Sequence, residues 1–224
     1  VAEEIREEYG MAKIVTAANV FAHIMDPHAV VDSILHLLER GGFFVSESHY
    51  LLSLIESLQY DTIYHEHLRY YHLGALKRLL TEHGLEIFHV ERIPTHGGSI
   101  RVYAAHEGSF SIADSVEKCL LEEAEAGIAD GSALLDFRNR VVRSKLDLRA
   151  LIAPIRARGD RIFGIGAPSR ASTLVNYTGL DEDCLECVVE IQGSHKLNKY
   201  MPGTRIPVLD EKILFEEQPA YALL

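Results

Sequence analysis

The stretch AKIVTAANVFAHIMDPHAVVDSILHLLERGGFFVSES, residues 12–48, sets the architecture expected of the whole chain. Its apolar run Ala12–Ala18 has strand length and little polar interruption, the pattern of a strand in a parallel sheet covered on both faces. Asp26 followed by Pro27 puts an N-cap and an N1 residue in their preferred order. Val30, Val31, Ile34, Leu35, Leu37 and Leu38 then supply an apolar stripe as far as Gly41 and Gly42. GFFVSES, residues 42–48, reads as the next strand. Strand, helix and strand in this order make a βαβ unit, so the first part of the chain predicts the second half of a doubly wound α/β sheet.

Outward from this unit, residues 1–9 read as the end of an acidic helix stopped by Gly10. Residues 51–73 are irregular and rich in Tyr and His. A helix over 74–83 closed by Gly84 follows, then LEIFHVERI and SIRVYAAH joined by PTHGG, a hairpin at the end of the sheet. From about residue 111 the pattern is helical and charged, interrupted at Gly127 and Gly131, with one long amphipathic helix over 133–159. A second α/β unit begins with DRIFGIG, the turn GAPSR, the helix STLVNYTG and the strand LECVVEI. The expected division is 1–110, 111–158 as a helical connector, and 159–224.

The chain has 224 residues, 47% of them hydrophobic and 25% charged, with a net charge of −11. That length suits one large or two small domains, and its Val1 start and AYALL end suggest a piece of a longer protein. No basic stripe is present to neutralise phosphates, so a nucleic-acid partner is not expected. No apolar run reaches the ~18 residues of a membrane span, and the acidic N-terminus is no signal peptide. Three cysteines without regular pairing suit a reducing, cytoplasmic setting. Cys184 and Cys187 form a CxxC, read as two half-buried thiols because a zinc site needs two further ligands nearby.

Four constellations could carry chemistry. Ten of the twelve histidines fall between His23 and His96, and Tyr64-His65-Glu66-His67 concentrates a phenol, a carboxylate and two imidazoles, groups suited to proton transfer near neutral pH. His65 and His67 on one face of an extended segment would also present two nitrogens to a metal, with His72 or His49 as a third ligand. Asn19 and His23 follow a strand at the position where open α/β sheets bind ligands, beside the small Ala17, Ala18 and Ala22. His96-Gly97-Gly98-Ser99 with Arg101 combines a backbone able to approach a ligand closely with groups that suit a phosphate. Gly164 and Gly166 with Glu190 at the end of the next strand give an incomplete dinucleotide fingerprint, Ser169 standing where the third glycine belongs.

The segments NVFAHI, ESHYLLSLIESLQYDTIYHEHLRYY, IPTHGGSIRVY, GIGAPSRASTLVNY and KYMPGTRIPV, in this order, resemble the S-adenosylmethionine-dependent C-methyltransferases that act on nucleotide-linked deoxysugars. The resemblance implies an α/β protein: a partial class I methyltransferase Rossmann-like sheet, a helical connector, and a second Rossmann-like α/β domain. It implies that His67 is the base removing the proton at sugar C3 beside a C4 ketone, with Tyr64, Glu66 and His23 in the same pocket. Asn19 and Ala18 would meet the cofactor, S-adenosyl-L-methionine; His65, His96, Gly97, Gly98, Ser99 and Arg101 would meet a dTDP-linked 4-keto-deoxysugar. In the family the cofactor's glycine-rich cradle, its ribose-binding acid and the structural zinc lie upstream of these residues, so the resemblance implies no metal on this chain and leaves open whether the fragment is active alone. Arg170-Ala171 stands where relatives usually read Lys-Gly. The competing readings are a metal-dependent hydrolase built on His65, His67 and His72, and a non-catalytic nucleotide-binding module at the Gly164 turn.

Overall fold

The computed structural model describes residues 1–224 as two compact units, one formed by 1–59 and 65–137, the other by 60–64 and 138–224. The first begins with α1 (Ala2–Tyr9), β1 (Ala12–Ala18), α2 (Pro27–Leu37) and β2 (Leu38–His49). It continues with α3 (Leu51–Glu56), α4 (Leu73–Thr81), β3 (Leu85–Ile93), β4 (Ser99–His106) and α5 (Asp114–Glu125). The sheet order is β1-β2-β4-β3, with β1 and β2 parallel and the other pairs antiparallel. The expected βαβ unit and hairpin are therefore both present. Asp26 caps α2 by accepting the Ala29 N–H at 3.2 Å, and Pro27 occupies the first turn. Alternate residues of β2 turn Phe44, Ser46 and Ser48 inward, and Val31, Ile34, Leu73, Leu76 and Leu80 are buried on the helices.

Two details differ from the sequence reading. The helix ends at Leu37, and β2 continues through Gly41 and Gly42, where its register against β1 shifts. Neither glycine has the positive φ that a helix-stopping glycine uses. Gly42 instead allows close approach to β1, since a Cβ there would lie 2.5 Å from the Lys13 carbonyl oxygen. The strand β1 is also not covered on both faces. It pairs with β2 along one side only, none of its residues is buried, and Ile14 is 54% exposed.

The helix α6 (Ser132–Ala157) follows the break at Gly127 and Gly131, both at positive φ. The second unit continues with β5 (Ile162–Ile165), α7 (Ser169–Thr178), β6 (Cys187–Glu190), β7 (Val208–Asp210), α8 (Lys212–Glu217) and β8 (Tyr221–Leu223). Its four strands are all parallel, in the order β7-β6-β5-β8. One face packs Ile152 and Ile155 of α6 with Val175, Leu185, Val188 and Ile206; the other buries Phe163, Cys187 and Val189. The AYALL end supplies β8, an edge strand whose Tyr221 is partly exposed. No helix is long and apolar enough to cross a membrane.

Candidate active site

The carboxyl ends of the parallel strands β1 and β2 carry the first part of the site. Asn19 leaves β1 in the left-handed region at φ 54°, a conformation Asn tolerates better than most residues, and its N–H bonds the Glu47 carbonyl at 2.7 Å. The chain then forms a 3-10 turn over Phe21–His23, anchored by fully buried Phe21. Residues 66–69 are stitched to this turn. Ala22 accepts the Leu68 N–H at 2.8 Å, and Arg69 donates to the carbonyls of Ile24 and, at 2.9 Å, Met25. His23 Nδ1 donates to the Glu66 carbonyl at 2.8 Å; because a carbonyl only accepts, this bond places the proton on Nδ1 and leaves Nε2 as the acceptor.

These bonds bring imidazoles together. The His67 ring lies 5.1 Å from that of His23, 5.2 Å from that of His49 and 6.1 Å from the ring of Tyr70. His49, the last residue of β2, is in turn 5.7 Å from His96. His67, His23 and His96 are residues the sequence singles out for the site, whereas His49 enters there only as a third metal ligand. The rule that selected Asn19, position at the carboxyl end of a parallel strand, also selects His49. His65 does not share a face with His67: residues 65 and 66 form a turn that leaves His65 exposed and His67 half-buried. No group of three or more His, Cys, Asp or Glu side chains is arranged to hold a metal ion.

The glycine turn serves the protein's own packing. Gly97 and Gly98 have φ of 81° and 118°, and a Cβ on Gly98 would stand 2.5 Å from that of Ser53. Gln59 donates to the Gly97 carbonyl at 2.7 Å, and the Gly98 N–H returns to Thr95 at 2.9 Å. Buried Ser99 donates to the Thr95 carbonyl at 3.0 Å. The guanidinium of Arg101 is engaged by Glu47, through Nε at 3.1 Å and a terminal nitrogen at 2.8 Å, which strengthens its hold on the proton. Its charge is thus balanced by its cross-strand neighbour on β2.

A buried carboxylate ties Tyr50 to the start of α4. Glu123 of α5, 3% exposed, accepts from Tyr50 Oη at 3.0 Å, His72 Nδ1 at 2.9 Å, the Gly74 N–H at 3.0 Å and the Leu73 N–H. The last two are orphan donors in the first turn of α4, where a negative charge is favoured. Burial opposes ionisation of Glu123, but the bonds from His72, Gly74 and Leu73 outweigh it and hold the carboxyl below its ordinary 4.5. Burial first, then the bonds and the charge around Cys119 and Glu123, raise the Tyr50 phenol, keeping it a donor.

The other half of the YDTIYHEH segment, residues 60–64, belongs to the second unit. There Asp61 pairs with Arg170 at 2.8 Å, Thr173 donates to the Ile63 carbonyl at 3.3 Å, and the Tyr60 and Tyr177 rings lie 5.4 Å apart. The Tyr64 N–H bonds the Thr62 carbonyl at 3.1 Å. At the Gly164 turn, Glu190 does not present a carboxylate to an incoming ribose. It accepts the N–H groups of Ala167 at 3.2 Å and Ile191 at 3.1 Å, and Lys196 stands 3.6 Å away while donating to the Ala167 carbonyl. The turn's own anion is already in place, which disfavours the nucleotide-module reading. Cys184 and Cys187 are free thiols, and burial pushes Cys187 up to about 11.

Comparison with known proteins places the chain. Residues 94–224 match a C-methyltransferase C-terminal domain, and residues 1–90 match a methyltransferase domain. The chain is 36% identical over 229 aligned residues to the C-methyltransferase NovU of Streptomyces niveus, an alignment covering 100% of the chain and 53% of that protein. It therefore spans about half the length of this curated relative. Two solved structures overlay in part. A chain from the complex of the Haloferax volcanii Trm112 methyltransferase activator matches at 16% identity and TM-score 0.36, over 42% of this chain and 54% of that one. Magnesium protoporphyrin IX methyltransferase of Synechocystis PCC 6803, with bound SAH, matches at 14% identity and TM-score 0.35, over 43% of this chain and 46% of that one. Overlays this partial decide nothing. The C-terminal-domain match alone spans more than half of the chain, and the chain belongs to the C-methyltransferase family.

Proposed function

We propose that the protein transfers a methyl group to C3 of a dTDP-linked 4-keto-deoxysugar, with His67 as the base that forms the enolate. The observation that carries this reading is the seating of His67 among His23, His49 and Tyr70 beyond the carboxyl ends of β1 and β2. A carbon beside a ketone becomes a nucleophile only after losing its proton, and an imidazole is suited to remove it near neutral pH. The bonds from Leu68, Arg69 and His23 fix the loop on either side of His67, so its ring is positioned before substrate arrives. Bound S-adenosylmethionine supplies an electrophilic methyl carbon. Asn19 and Ala18, at the end of β1, are the residues of this chain that would line it, and the left-handed backbone of Asn19 turns the chain away from the strand there.

In this reading Glu66 and His23 act with His67, the exposed His65 and His96 meet the nucleotide sugar, and the packed turn of Gly97, Gly98 and Ser99, with Arg101 behind it, holds His96 in place. The pairing of Arg101 with Glu47 makes its contribution positional unless substrate phosphate displaces the carboxylate. Residues 1–110 would supply this loop, 111–158 the connector and 159–224 the second Rossmann-like domain.

The test is His67→Ala in the protein's full natural chain, assayed with labelled S-adenosylmethionine and a dTDP-4-keto-deoxysugar. Loss of a positioned general base lowers turnover by about 100- to 10,000-fold while cofactor affinity stays unchanged. Turnover within a few-fold of the parent would refute the role.

A further inference from the structure

Removal of a carbon-bound proton leaves that proton on the base, and it has to reach solvent before the next turnover. Resting on the methylation reading above, the geometry points to His49 and His96 as its route out: a relay of imidazoles leading from His67 to an exposed turn. An imidazole can accept a proton at one nitrogen and release one from the other, so a row of them conducts protons with little movement.

The spacing fits. His28 and His83, elsewhere in the same unit, have ring centroids 5.1 Å apart and bring Nδ1 and Nε2 to 2.8 Å, a direct hydrogen bond. His67 and His49 stand at essentially the same separation, 5.2 Å, with rings at 88°. His49 and His96 are 5.7 Å apart, within reach of a direct bond after a small ring rotation. Both relay residues are held by backbone. His49 ends β2 in register with Ser99 of β4, and His96 sits at φ 53°, an uncommon conformation for a residue with a Cβ, maintained by the packed glycines that follow it. His96 is exposed, so a proton arriving there meets water.

One other exit competes with the relay. His23 is 5.1 Å from His67, but its Nδ1–H is committed to the Glu66 carbonyl. His23 is exposed, so a proton it takes up at Nε2 leaves from that same nitrogen, to water or back to His67, and the variants below measure how much of the flow the relay carries. Tyr70 is a phenol, a poor proton acceptor near neutral pH. In the relay the substrate C–H bond breaks, its electron pair remains on the substrate as the enolate, and the proton passes from His67 to His49, then His96, then water or a buffer base.

The experiment omits the methyl donor. The full natural chain is mixed with a dTDP-4-keto-deoxysugar carrying deuterium at C3, and release of the label into solvent is followed by NMR for the parent, His49→Gln and His96→Gln. With the relay broken, the deuteron on His67 returns to carbon more often than it escapes. Washout, read at saturating sugar so that a weakened substrate contact does not enter, then falls by about tenfold in weak buffer and recovers when imidazole is added as an external acceptor. His96→Gln, at an exposed turn, keeps the test meaningful if His49→Gln folds poorly. Washout equal to the parent in both variants, or a loss that added imidazole does not restore, overturns the relay. A parent that neither washes out the label nor methylates the sugar fails the methylation reading itself, and the relay falls with it.

Discussion

Glu123→Ala removes a carboxylate that is 3% exposed and accepts four hydrogen bonds, from Tyr50, His72, Leu73 and Gly74. The substitution leaves two first-turn N–H groups of α4 and a buried phenol without their acceptor. Each buried donor left unsatisfied costs about 1–3 kcal/mol, and breaking one side of a buried charged pair typically costs about 3–5 kcal/mol in total, because the deletions share one group and water enters part of the space. We therefore expect a loss of about 4 kcal/mol. At about 2–4 °C per kcal/mol for a chain of this size, Tm falls by roughly 8–16 °C. Glu123→Gln keeps the volume but turns an amide NH2 towards groups that are themselves donors, so it should lose about half as much. Calorimetry of both variants, with hydrogen exchange at Leu73 and Gly74, reads the effect locally. The sign with pH is fixed by the depressed carboxyl: the contribution is complete above the ordinary value of 4.5 and disappears as pH falls through the lower folded value. The gap between parent and Glu123→Gln should accordingly narrow only below about pH 4.5. A Glu123→Ala protein within ~0.5 kcal/mol of the parent, the scale of ordinary surface changes, with Leu73 and Gly74 equally protected, would mean that Glu123 does not anchor the start of α4.

Further outcomes follow from other contacts. Gly98→Ala forces a Cβ to 2.5 Å from that of Ser53 at φ 118°, whereas Gly108→Ala, at φ 74°, meets nothing within 4 Å. Urea unfolding should show the first losing well over the ~1 kcal/mol that left-handed strain alone explains in the second. A double-mutant cycle on Asp61 and Arg170 should give a coupling below about 1 kcal/mol, since the guanidinium is 51% exposed; a larger value would mean the pair is desolvated. Cys187, 1% exposed and pushed up to about 11, and buried Cys119 should resist iodoacetamide in the folded protein, leaving Cys184 to label first by mass spectrometry.

What the sequence made legible was local or periodic. Asp26-Pro27 announced the start of α2 because capping chemistry lies within four residues, and the strands flanking PTHGG announced the hairpin because alternation and turn residues are adjacent. Gly41 and Gly42 misled because a glycine's letter does not carry its φ: the same residue ends a helix when φ is positive and lets two strands approach when it is extended. The HxH spacing misled in the same way, since the face a side chain takes depends on a backbone that turns at residues 65 and 66. The histidine-rich loop was visible as composition, but its arrangement around His67 was not, because the bonds that make it link residues about 45 positions apart. Glu123 lay beyond reach for the same reason, its partners standing 49 to 73 positions away in a stretch that reads as an ordinary charged helix.

The most direct test of the account is the position of the transferred methyl group. Given ¹³C-methyl S-adenosylmethionine and a dTDP-4-keto-deoxysugar, the full natural chain should give a product whose labelled carbon is bonded to C3, next to the ketone, and His67→Ala should give none of it while still binding the cofactor. A label on oxygen or nitrogen, or undiminished C3 methylation by His67→Ala, would contradict the account.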